Sequence, residues 1–143
     1  MYYNGKMLIN QEKNIKLLGV DWGEKRLGLA LADSEVGLAT PLGVAGSLGE
    51  LLNILVAEGI DIIVLGEPQK MRGKTSDINP RFKEFLALLR QKVAAPVVLI
   101  DERLSSLQAD ALVGTKKTKA PRDAVAAMII LQTYLDQKYG QHL

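Results

Sequence analysis

The chain contains no cysteine and a single histidine, His142. The first absence excludes disulfide frameworks, thiolate metal sites, iron–sulfur clusters and cysteine nucleophiles. The second excludes multi-histidine metal sites and most histidine-based triads. Catalysis therefore falls to carboxylates, hydroxyls, lysine and arginine. Aromatic residues make up only 5% of the chain, so platforms for base stacking are few; Trp22 is the prominent candidate, and it suits a core equally well. No apolar run approaches the roughly 18–20 residues that span a bilayer. The polar opening, residues 1–14, lacks the apolar stretch of a secretory signal. A cytoplasmic protein with no membrane partner is expected. An excess of charge of one sign is also missing: 18 Lys plus Arg against 16 Asp plus Glu leave a formal net charge of +2. That total is too small to mark a polyanion partner, so the placement of the charges must decide.

What is present suffices for one core. A chain of 143 residues, 48% hydrophobic and 24% charged, fits a single globular domain and lies far from the composition of disordered chains. Residues 1–15 have no clear period and read as a loose N-terminal extension; residues 16–138 read as the domain. Two apolar runs, 17–20 (LLGV) and 27–32 (LGLALA), flank a Gly- and charge-rich connection and predict a β-hairpin turning over Trp22 to Arg26. A third strand is expected between Gly37 and Ala45, with Pro41 suited to an edge. Ser47 and Glu50 match a capping box, predicting a helix to about Glu58. Residues 61–65 (DIIVL) and 97–100 (VVLI) are short, almost wholly apolar runs, as in parallel strands covered on both faces. Between them Asn79 and Pro80 open a helix to about Lys92, with Phe82, Phe85, Leu86 and Leu89 on one face. Ser105 and Gln108 predict a short helix to about Val113, and a last helix starts near Pro121. Its apolar run 124–131 (AVAAMIIL) predicts a helix enclosed on all sides. The order gives an α/β fold: a mixed five-stranded sheet, antiparallel in its N-terminal part and parallel in the remainder, flanked by helices.

Three acids stand where the chemistry of an open α/β sheet would use them. Asp21 ends the first strand, Glu102 or Asp101 ends the last, and Asp123 begins the enclosed helix. Ligands of such sheets bind beyond the carboxyl ends of the strands. Acids converging there repel one another unless a cation lies between them. With no cysteine and no spare histidine, the hard cations Mg²⁺ or Mn²⁺ are the natural choice, and such a cluster supports two-metal phosphodiester hydrolysis. Taken singly, each acid also fits a structural role, at a turn or in the first turn of a helix. Two basic segments are expected near the same sheet edge. One carries Lys70, Arg72 and Lys74; the other carries Lys116, Lys117, Lys119 and Arg122. Positive segments beside a negative centre suit a nucleic-acid strand, its phosphates held by Lys and Arg.

Four ordered segments, GVDWGEKRLGLALAD (19–33), LGEPQKMRGKTSD (65–77), DERLSS (101–106) and RDAVAAMIILQTYLD (122–136), resemble the YqgF (RuvX) family. The likeness runs from Leu17 to Asp136. It implies a ribonuclease H-like fold related to Holliday junction resolvases, and a part in maturing the small-subunit ribosomal RNA precursor. By the same likeness Asp21, Glu102 and Asp123 match the catalytic, metal-holding acids, and Arg26 and Arg103 match recurrent basic positions. The chain departs from the family pattern at Glu67, where an apolar residue is usual, and at Lys70 to Gly73, where Asn-Met-Asp-Gly is usual. Ser105 and Ser106 replace threonines, and Ala120-Pro121-Arg122 replaces a short apolar lead-in. None of these changes removes a candidate metal ligand.

The expected function is a divalent-metal-dependent nuclease acting on structured RNA in ribosome maturation, on ribosomal precursor particles, as a monomer or homodimer. Resolution of branched DNA junctions is the alternative within the same chemistry, and dimers suit two-fold symmetric junctions. An actin-like ATPase or sugar kinase, suggested by the resemblance of residues 19–28 to a phosphate hairpin, needs two such domains. A non-catalytic RNA-binding module of the same fold would be favoured by loss of an acid, and all three are present.

Overall fold

The computed structural model describes residues 2–3, 6–7, 14–68, 79–101 and 121–139. The expected helix at 105–113, the basic segment at 114–119 and most of the connection after residue 66 lie outside the described residues.

Five strands form the main sheet in the order β5-β4-β3-β6-β7. β3 (Lys16–Asp21) and β4 (Leu27–Asp33) make the expected hairpin, in a register that places Lys16 opposite Asp33 and Asp21 opposite Gly28. β5 (Thr40–Ala45) pairs antiparallel with β4 and forms the edge; a bulge interrupts the ladder between Leu29 and Ala30. Pro41 sits opposite Ala30 in this edge strand, where a missing N–H is tolerated. β6 (Ile62–Glu67) runs parallel to β3, and β7 (Val97–Asp101) parallel to β6. β3 and β6 are central, which is why their sequences are nearly continuous apolar runs. Both later strands outrun those runs, because the backbone ladder continues through Glu67 and Asp101 whatever their side chains. The N-terminal region holds one further pairing, β1 (Tyr2–Tyr3) with β2 (Lys6–Met7). Asn14 and Ile15 are also tied to the fold: Ile15 N donates to Ser34 Oγ at 2.8 Å and Glu35 N to Asn14 Oδ1 at 3.1 Å.

The helices start where their caps predict. α1 (Leu48–Glu58) is opened by Ser47, whose Oγ accepts from Glu50 N at 3.2 Å. The Glu50 carboxylate reaches back to Gly46 N rather than to the cap's own N–H. Gly59, at φ 65°, ends the helix in the left-handed conformation. In α2 (Pro80–Lys92) the Asn79 side chain accepts from Arg81 N and Phe82 N, and proline takes the first helical position. α3 (Arg122–Tyr139) buries Ala124 to Ala127 and Ile129 to Leu131, as its all-round apolarity predicts.

The helices cover the sheet on both faces. Leu51 of α1 and Phe82 and Leu89 of α2 pack with Leu18, Leu29 and Leu65 on one face. On the other, Ala127, Ile130 and Leu131 of α3 pack with Leu17, Ala30 and Val64. The α3 contact is unusually close at two glycines. A Cβ on Gly19 would lie 2.7 Å from both Ala127 O and Leu131 Cβ, and one on Gly28 would overlap the Asp123 carbonyl and lie 2.8 Å from Asp123 Cβ. Real Cβ contacts are wider, so only glycine lets the helix backbone come down on the β3–β4 ribbon.

Candidate active site

The site grows from the end of β3. Side chains alternate along a strand. Val20 belongs to the α1/α2 side and Gly19 faces α3, so Asp21 emerges on the α3 side at the carboxyl end of the central strand. Its cross-strand partner Gly28 shares that face, and directly opposed antiparallel residues have Cα atoms about 4.5–5.5 Å apart. The bare backbone of Gly28 is in turn where Asp123 of the first turn of α3 is seated. Two acids separated by about a hundred positions in sequence are thus brought against the same residue. Asp123 also lies where the helix dipole favours a negative charge.

Arg26 closes the group. It is the last residue of the turn before β4, and its Nε donates to Asp123 Oδ2 at 2.6 Å. The guanidinium side chain is 64% exposed and the carboxylate 27%. The turn is braced against α2 on the opposite side. Trp22 meets Phe82 edge-on with centroids 5.6 Å apart, and Arg81 Nη1 pairs with Glu24 Oε1 at 3.2 Å. The ring of Trp22, weighed above as a stacking platform, is a half-buried brace of the turn.

Glu102 is the second acid that the family resemblance implies, and Asp101 is the acid that precedes it, at the end of β7. Leu99 belongs to the α1/α2 side and Ile100 to the α3 side, so alternation turns Asp101 away from Asp21 and Asp123. The same parity turns Glu67, opposite Asp101 in the register, to the α1/α2 side with Leu65. Glu102 lies outside the described residues, as do Lys70, Arg72, Lys74, Arg103, Lys116, Lys117 and Lys119. Arg122 is exposed at the start of α3, next to Asp123. Among the described residues no three His, Cys, Asp or Glu side chains are close enough to hold a metal ion. The carboxylates of Asp21 and Asp123, which stand on one face of the sheet, are hard oxygens, which by their chemistry fit Mg²⁺ or Mn²⁺ and not a soft metal.

One residue and one pairing escaped the sequence reading. Gly28 positions Asp123, and the signal was available in the small residues Gly19, Gly28, Ala30 and Ala32 lining one side of the hairpin. The carboxylate partner of Arg26 is 97 positions away and left no local trace. A cavity of about 110 Å³ lies beside the turn, lined by residues that include Trp22, Lys25, Arg26 and Ser47. Ligand pockets usually measure about 300–1,000 Å³, so this cavity is small beside them.

Relatives were found at the levels of family, sequence and fold. The RuvX family model, described as "Holliday junction resolvase", matches residues 15–137. A protein of Geobacillus kaustophilus named "Putative pre-16S rRNA nuclease" is 38% identical over 139 residues, covering 87% of this chain and 99% of its own. Proteins of the same name from Desulfitobacterium hafniense and Chlamydia trachomatis are 36% and 33% identical, covering 90% and 85% of this chain and 99% and 91% of theirs. In fold, the chain is similar to Thermus thermophilus RuvC solved in complex with a Holliday junction substrate. The TM-score is 0.58 at 17% identity, over 88% of this chain and 96% of that one. The mixed sheet and its helices are therefore the ribonuclease H-like architecture of RuvC. With the family match spanning almost every described part of the sheet and α3, this chain belongs to the RuvX family.

Proposed function

We propose that this protein is a divalent-metal-dependent nuclease that hydrolyses phosphodiester bonds in structured nucleic acid, with the 5′ end of pre-16S ribosomal RNA as its substrate. One observation carries the reading: the first turn of α3 brings Asp123 down on Gly28, the cross-strand partner of the strand-end residue Asp21, in a chain of the RuvX family. The names of the relatives support the ribosomal substrate. Asp21, Asp123 and Glu102 are the acids assigned to hold Mg²⁺ or Mn²⁺; the parity of Asp101 favours Glu102 for the second strand. When bound, the metal supplies activation of water and stabilisation of the leaving oxygen. The chain's own residues do the rest. Gly28 fixes where the Asp123 carboxylate stands, Arg26 holds that carboxylate, and the braced turn holds Arg26. Lys70, Arg72, Lys74, Arg103, Lys116, Lys117, Lys119 and Arg122 are assigned to the phosphates of the strand, where each contact adds to salt-dependent affinity without reading sequence. Ribosomal precursor particles in the cytoplasm are the setting this implies. No helix among the described residues is long and apolar enough to cross a membrane.

Junction resolution is the second reading, favoured by the family's description and the likeness to RuvC. The deciding experiment incubates the purified protein with a ribosomal RNA precursor and, separately, with a synthetic four-way junction, each in Mn²⁺ and in EDTA. The account expects cleavage of the precursor in Mn²⁺ and none in EDTA. Preferential cutting of the junction transfers the assignment to DNA. Binding of RNA without cleavage under any metal makes the protein a non-catalytic module.

A further inference from the structure

The ion pair between Arg26 and Asp123 sets a cation on the carboxylate that the proposed function gives to a metal. The guanidinium reaches it through Nε at 2.6 Å, and the exposures, 64% for the arginine and 27% for the acid, put the guanidinium on the water side. This is the side from which an ion and a strand arrive. Such a pair is short and charge-assisted, yet an arginine this exposed gains little net free energy from it. A divalent cation shared between carboxylates can displace so weak a partner. The backbone of the turn does not need to move when it does, because Trp22 against Phe82 and Glu24 with Arg81 brace it. A released guanidinium therefore stays within a side chain's length of Asp123, with the planar fork that suits a phosphate.

We propose that Arg26 is a positioning residue with two alternating partners: it occupies Asp123 while the site is metal-free, and on metal binding it transfers to a phosphate of the nucleic acid. The inference rests on the metal-dependent reading of the site. Metal and guanidinium compete, metal and nucleic acid cooperate, and by linkage each of the latter raises the affinity of the other.

The test is Mn²⁺ titration of the full chain without nucleic acid, followed by binding of a ribosomal RNA precursor fragment with and without Ca²⁺, which supplies a hard cation for the same oxygens. Arg26→Gln is expected to bind Mn²⁺ about two- to five-fold more tightly than wild type, the loss of a competing exposed pair. Lys25→Gln, an adjacent exposed residue with the same change of charge, is expected to match wild type. Arg26→Lys keeps the charge and should bind Mn²⁺ close to wild type. The gain in RNA affinity on adding Ca²⁺ should be at least halved in Arg26→Gln. Mn²⁺ bound by wild type but no more tightly by Arg26→Gln, or an equal rise in Lys25→Gln, overturns the exchange and leaves the metal reading standing. A wild type that binds no Mn²⁺ overturns both.

Discussion

The two faces of the main sheet are built from residues of different size, and the difference separates stability from chemistry. Under α1 and α2 the sheet offers Leu18, Val20, Leu29, Ile63 and Leu65, and the helices answer with Leu51, Phe82 and Leu89. Under α3 the β3–β4 ribbon offers Gly19, Gly28, Ala30 and Ala32 beside Leu17, and the helix answers with the backbone of Asp123 and with Ala127, its larger Ile130 and Leu131 following further along. Helix separation follows the side chains at the contact. Large residues keep α1 and α2 at a distance and bury much apolar area, while small ones let the backbone of α3 reach the strands. Only on the thin side can a residue in the first turn of a helix stand beside a strand end. Asp21, Asp123 and Arg26 are on that side; Glu67 and Asp101, at equivalent strand ends, are turned to the thick one.

The largest effect on stability should come from thinning the thick face. Leu89→Ala empties a fully buried position in α2 and is expected to cost about 2–5 kcal/mol, read as a lower urea midpoint at unchanged slope. Cleavage per folded molecule should hardly move, because Leu89 belongs to neither the turn nor α3. Thickening the thin face gives the converse. Gly28→Ala is expected to cost about 1–3 kcal/mol through overpacking against the Asp123 backbone. Its cleavage rate should fall further than its stability implies, since a displacement of about 1 Å in a catalytic group can cost roughly a hundredfold. A loss of rate no greater than the loss of folded protein would return Gly28 to a packing role.

Smaller perturbations sharpen the boundary between the faces. Gln132 on α3 accepts from Ala39 N at 2.9 Å and donates to Gly37 O at 3.2 Å, tying the β4–β5 connection to the helix. Gln132→Ala removes both bonds and is expected to cost about 1–2 kcal/mol, measured by thermal unfolding, with cleavage retained. Smallest is Glu24→Gln, which breaks the exposed pair with Arg81. A change within a few tenths of a kcal/mol is expected, and more would show that the brace of the turn is electrostatic rather than the contact of Trp22 with Phe82.

Where sequence and structure agree, the cause is local. The apolar runs 17–20 and 63–65 are buried because a central strand has no solvent side, and Ser47, Asn79 and Pro80 act on groups within three residues of themselves. The place of Asp21 at a strand end was legible for the same reason, as an acid closing such a run. The rest depended on contacts distant in sequence. Arg26 has a partner 97 positions away, Gly28 is required by a helix at the other end of the chain, and Trp22 is a brace because Phe82 stands opposite. The face to which Asp101 turns needed the parity of β7, which follows only once Leu99 and Ile100 are assigned to opposite faces. The ends of β6 and β7 exceeded their apolar runs because main-chain pairing is indifferent to side-chain polarity.

The central claim is that the thin face places Asp21 as a carboxylate for chemistry rather than for the turn. Asp21→Asn keeps the shape and the capacity for hydrogen bonding and removes the charge. The decisive measurement is paired, melting temperature and cleavage rate of wild type and variant in Mn²⁺, on the substrate that the wild type cuts. The account predicts an unchanged melting temperature and a rate lower by about a hundredfold or more, since the lost ligand charge weakens the stabilisation of the leaving oxygen. A folded Asp21→Asn protein that cuts at the wild-type rate would contradict it.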